Sequence, residues 1–101
     1  MAIETEDKSY ELAYGLKRLE MAEAGVGNVA MATLFQNRPT TGQLITFAAY
    51  GLREQGSPAW LNPKRATDLL SGWMESERGG YGAPYSEVTQ AIERDCGFLF
   101  R

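Results

Sequence analysis

The side chains able to do chemistry in this 101-residue chain are two carboxylate pairs and one cysteine; histidine does not occur. A carboxylate pair can share proton transfer as acid and base. Glu20/Glu23 and Glu75/Glu77, however, sit among polar residues at exposed helical spacing, which describes a solvated face. Without histidine the chain lacks serine–histidine and cysteine–histidine activation, histidine bases and the usual zinc ligands. Cys96 falls at the end of an apolar helical stripe with Arg94 as its basic neighbour, so it reads as an inert small hydrophobe. Gly25-x-Gly27 and Gly79-Gly80-x-Gly82 invite comparison with phosphate loops. A phosphate cradle needs a preceding strand, and its best-known form needs Gly-Lys-Ser/Thr, which neither stretch offers. They read as loop punctuation. The residues point to a protein that is not an enzyme and takes no cofactor or metal.

Charge and length narrow the partners. Ten basic residues against thirteen acidic give a net charge of −3, and the basic residues are scattered as pairs, Lys17-Arg18 and Lys64-Arg65. Nucleic-acid binding rests on a clustered basic face, which the sequence does not show. No run approaches the roughly 18 apolar residues of a membrane span. The acidic start Met1–Asp7 lacks the basic and apolar regions of a signal peptide. A lone cysteine suits a reducing compartment. These features predict a cytoplasmic protein, and residues 1–101 read as a single domain.

The elements that position these residues are punctuated clearly. Tyr10, Leu12 and Tyr14 alternate with period two, which predicts a short strand. Glu6–Ser9 is a plausible turn back to Ile3–Thr5, so an N-terminal hairpin is an option; a helix beginning near Ser9 is its rival. Residues 16–24 form a helix stopped by Gly25-Val26-Gly27. Asn28 is read as the cap of a second helix, 29–36, which Arg38-Pro39 ends. Thr40 or Thr41 caps a third helix carrying Leu44, Ile45, Ala48 and Leu52, fading at 55–58. Asn62 and Pro63 open a fourth, with Ala66, Leu69, Leu70, Trp73 and Met74 on one face. Gly79–Pro84 reads as a flexible loop, and a fifth helix runs over 85–96 with Val88, Ala91, Ile92 and Cys96 inward. The expected fold is mainly α: about four to five short helices in one compact domain, with a short N-terminal β-hairpin as an option. Leu69, Leu70 and Trp73 should pack on Leu44, Ala48 and Leu52.

Helices two and three have helix-turn-helix proportions, but the would-be recognition face, Gln43, Thr46, Phe47 and Tyr50, has no basic residue until Arg53. Two features are harder to assign to a core. Ala59-Trp60-Leu61 stands in a loop, and Phe98-Leu99-Phe100 follows a helix stop at Gly97. Trp60, Leu61, Phe98, Leu99 and Phe100 are therefore candidates for an apolar partner-binding patch. For Trp60 the competing reading is a lid over the core; for Leu99 it is a continuation of the inward face of the last helix. The aromatic surplus outside the stripes (Tyr10, Tyr14, Trp60, Tyr81) predicts self-association into a homo-oligomer.

The order Tyr10-Glu11-Leu12-Ala13-Tyr14-Gly15-Leu16-Lys17-Arg18-Leu19-Glu20, a glycine break, Asn28 to Phe35, Arg38-Pro39, Gln43 to Tyr50 and Gly51-Leu52 resembles the tail assembly chaperones of long-tailed (siphovirus-like) bacteriophages. It is most similar to the branch related to gene-transfer agents, and the likeness runs from Tyr10 to Leu99. That resemblance implies an aromatic-x-Leu-x-aromatic strand leading into a helix, a short helix, a turn, a helix ending before Gly-Leu, and two more helices. It also implies a protein that binds the tape measure protein before the tail tube assembles and is absent from the mature virion. Its partners would be the tape measure protein, tail proteins and further copies of itself, in the cytoplasm of the bacterial host, with a frameshifted longer form in many relatives. A head–tail connector or tail terminator, and a small helix-turn-helix regulator, are the competing readings.

Overall fold

The computed structural model describes residues 3–4, 8–76 and 80–97. Alternation at the N-terminus does produce strands. β1 (Ile3–Glu4) pairs antiparallel with β2 (Ser9–Leu12), Ile3 opposite Tyr10. Ile3, Tyr10 and Leu12 turn inward and are buried. Among the described residues five helices follow: α1 (Leu16–Gly25), α2 (Met31–Gln36), α3 (Thr41–Ala49), α4 (Pro63–Glu75) and α5 (Gly82–Cys96). The whole is one compact, mainly helical domain with a small antiparallel sheet.

The sheet has a third strand that the periodicity did not announce. α3 ends at Ala49, and Leu52–Glu54 forms β3, with Leu52 opposite Leu12 and Glu54 opposite Tyr10. Leu52 therefore does not extend the third helix, although it is fully buried where a helical stripe would have put it. Gly51, between α3 and β3, lets the Tyr14 ring lie directly against the backbone. A Cβ there would lie 2.7 Å from ring carbons of Tyr14, closer than real contacts allow.

Asn28 is a second correction. It does not cap α2; it finishes α1. The Asn28 N–H donates to Glu23 O at 2.9 Å and the Gly27 N–H to Ala24 O, with Gly27 at φ 90° and Asn28 at φ 61°. This is the left-handed closure that satisfies the last carbonyls of a helix. α2 begins instead after Ala30, whose side chain cannot cap, and the Glu23 carboxylate accepts the Met31 N–H at 2.8 Å. Glu23 is thus a cap for the following helix, half-buried, while Glu20 remains solvated.

Other boundaries follow their local chemistry. Thr40 and Gln43 form a capping box on α3. Asn62 caps α4 with Pro63 at the first helical position. α5 starts at Gly82, three residues before the expected Tyr85, so Gly82–Pro84 is helical and the stretch read as loop is shorter. Pro84 is tolerated there because first-turn N–H groups have no intrahelical partner. α4 packs across α3, burying Leu70 and Trp73 against the layer of Leu44, Phe47 and Ala48, with Leu69 half-buried at its edge. Among the described residues no helix is long and apolar enough to cross a membrane.

Candidate partner-binding site

The backbone of Leu12–Tyr14, leaving β2 for α1, meets five distant groups. Ala13 N–H donates to Gly51 O at 2.8 Å. Arg94 Nη2 donates to Leu12 O at 2.6 Å, and the Asp95 carboxylate accepts the Tyr14 N–H at 2.9 Å. Cys96 Sγ lies 3.5 Å from Tyr14 O, and Trp60 Nε1 donates to Ala13 O at 2.9 Å. The end of α5 and the Trp60 loop are therefore fastened to one three-residue stretch.

Tyr14 also closes the C-terminus of α3. Its buried hydroxyl donates to Phe47 O at 2.8 Å, while Arg18 Nε donates to Tyr50 O at 2.7 Å. Both carbonyls belong to the last turn, where a helix has no internal donors left. Burial pushes the Tyr14 phenol pKa up and likewise raises that of the Cys96 thiol. Burial lowers that of the Arg18 guanidinium. Hydrogen bonding from Arg94, aided by the Tyr14 N–H, holds the Asp95 carboxyl below the usual carboxylate value.

Of the sequence-predicted patch, Trp60 and Leu61 lie within the described residues; Phe98, Leu99 and Phe100 lie outside them. Trp60 is half-buried and bridges to Arg53 as an extra rung beside β3, and the Leu61 N–H donates to Leu52 O at 3.0 Å. Leu61 packs against the core. Around the indole stand two guanidiniums, Arg18 at 5.0 Å and Arg53 at 5.3 Å from the ring centroid, and Arg18 also faces Tyr50 at 6.0 Å. Arg53 is paired with Glu11 at 2.8 Å. This Arg–Trp–Arg cluster was invisible in the sequence, where Lys17-Arg18 counted as scattered charge and Arg53 as the end of a helix. Only the turn at Gly51 brings the two arginines to one ring.

The other aromatics proposed as surplus are used internally. Tyr10 and Tyr14 are buried, and Tyr81 stacks on Tyr85 with its hydroxyl on Pro39 O. Arg38, at φ 60°, lies over both rings at 5.5 Å. These three tyrosines therefore give no support to self-association. Nor does α3 offer a recognition face, because Phe47 is fully buried and edge-on to Phe35.

Among the described residues no group of three or more cysteines and carboxylates is placed to hold a metal ion. A cleft of about 230 Å³ between α2 and α5, floored by Met31, Phe35 and Ile92, is mainly apolar. Comparison with protein-family models, curated proteins and solved structures gives no match.

Proposed function

We propose that the chain is a non-enzymatic tail assembly chaperone of a long-tailed bacteriophage or a related gene-transfer particle. It binds segments of the tape measure protein in the host cytoplasm until the tail tube forms, and does not remain in the finished particle. The observation that supports this reading most is where the family-like motifs fall. Tyr14 of the strand motif packs on Gly51 of the Gly-Leu motif, Leu12 pairs with Leu52, and Arg38 of the Arg-Pro turn lies over Tyr81 and Tyr85. Ring contacts running from Tyr14 through Phe47 and Phe35 to Tyr85 join these positions, so residues that look like independent short motifs form one contact set, as expected if they belong to a single inherited architecture. The acidic net charge keeps unassembled copies soluble, and self-association of copies along an extended client is part of the proposal.

Within it, Trp60, Leu61, Phe98, Leu99 and Phe100 are the candidate client-binding residues. Co-expression with a tape measure fragment tests both levels. The intact chain should co-purify with the fragment and be missing from purified particles. Removing residues 98–101 should abolish co-purification and leave the melting temperature nearly unchanged. Persistence in the particle as a closed ring would instead identify a connector or terminator. A steep loss of melting temperature with binding retained would show that the tail belongs to the core.

A further inference from the structure

Two guanidiniums share the Trp60 indole, but among the described residues only Arg53 has a carboxylate partner. Glu11 serves Arg53, with both the Nε and Nη2 contacts at 2.8 Å. Arg18 is fixed by its Nε on Tyr50 O, yet its outer edge is poorly satisfied. Nη1 reaches only the Met21 thioether at 3.8 Å, and Nη2 is buried with no acceptor among the described residues. A charged N–H withdrawn from water without a partner is costly, and a thioether is a weak acceptor. Met21 is itself 37% exposed and unbranched, so its sulfur is easily displaced.

We infer that the Arg18–Trp60 cluster is a docking point for a carboxylate borne by a protein partner, Arg18 supplying a planar fork and Trp60 and Tyr50 the flanking aromatic faces. The partner's carboxylate displaces the Met21 sulfur and takes the Nη1–Nη2 edge, the two-pronged geometry that guanidinium favours. Tryptophan, tyrosine and arginine are also the residue types on which interface energy concentrates. Charge selects the partner class. The Arg18 fork is a single cation beside the Glu11–Arg53 pair on a molecule of net charge −3, a setting that suits a discrete carboxylate better than an extended polyanion, which would also meet Glu11. The inference rests on the proposed function only for the identity of the natural partner.

The intact chain can be titrated calorimetrically with a helical peptide of leucine and glutamate, its glutamine counterpart, and a single-stranded oligodeoxynucleotide. The glutamate peptide should bind about tenfold more tightly than the glutamine one, the worth of one charged hydrogen-bonded pair. Arg18→Gln should erase that difference and Arg18→Lys should restore part of it. Because Arg18 also caps α3, a second variant adds a group rather than removing one. Met21→Glu supplies the missing carboxylate one helical turn away; it should raise the melting temperature and weaken binding of the glutamate peptide, while Met21→Gln does neither. Equal affinity for both peptides, a preference that survives Arg18→Gln, or tighter binding of the oligonucleotide would overturn the inference. If the tape measure fragment binds wild type and Arg18→Gln equally, this surface is wrong and the proposed function stands. If the glutamate peptide binds through Arg18 while the fragment is ignored, the surface stands and the proposed function fails.

Discussion

Tyr14 does three jobs at once: its ring fills the space over Gly51, its hydroxyl closes α3, and its N–H is held by Asp95. Tyr14→Phe keeps the ring and strands Phe47 O, so it should cost about 1–3 kcal/mol in denaturant unfolding. Gly51→Ala forces a methyl against the same ring and should cost a similar 1–3 kcal/mol, about the usual penalty of overpacking. A Gly51→Ala variant as stable as wild type would mean that Tyr14 can move aside. Asp95 makes stability pH-dependent. Its folded-state pKa lies below the ordinary carboxylate value, so its contribution is complete above that value and fades as pH falls through the folded one. Asp95→Asn should therefore be less stable than wild type near pH 7, with the gap narrowing below about pH 4.

Helices in this fold are held mainly by what closes their ends and by one broad packing layer. α3 is the clearest case, capped at its start by Thr40–Gln43 and at its finish by Tyr14 and Arg18. Thr40→Ala should lower stability by about 1 kcal/mol. The α4 stripe lies across it, and Leu70, 1% exposed, is its most enclosed leucine. Leu70→Ala should cost about 2–5 kcal/mol; a loss under about half a kcal/mol on denaturant titration would show that the site collapses without a cavity. The exposed Lys8–Glu54 pair, at 2.6 Å, should contribute little, and raising the salt in the same assay should screen that small contribution away.

For the molecule as a whole, most large apolar side chains are spent inside. Among the described residues, Leu16 and Met21 are the large hydrophobics that stand exposed. Under the proposed function, a client would then be met, among the described residues, by half-buried groups such as Trp60, Tyr50 and Leu61 and by mixed charge and aromatic contacts. The self-association that is part of the proposal would have to use the same surface, since Tyr10, Tyr14 and Tyr81 are committed to the fold. Sedimentation at tens of micromolar should therefore show an oligomer that Trp60→Ala weakens, and a species of only 11.2 kDa would count against it.

Local chemistry by itself determined much of this protein. Alternation from Tyr10 to Leu12 (which stops there, Leu12, Ala13 and Tyr14 all being buried), the Thr40 and Asn62 caps, Pro63, the α4 stripe and the inward face of α5 are statements about neighbouring residues, and each is realised in the structure. Tertiary structure decided what depends on distant partners. Leu52 suits a helical stripe as well as a strand, and β2, needing a partner along its free edge, draws it into β3. Asn28 is a good helix opener on propensity, but the carbonyls at the end of α1 capture its N–H first. Glu23 reads as solvated until α2 arrives without a cap of its own. The Arg18–Trp60–Arg53 cluster brings Arg18 to Arg53 and Trp60 from a distant part of the chain, and no spacing rule links them. Periodicity records which face of a segment is buried; it carries no information about which remote group will satisfy a given carbonyl or share a given ring.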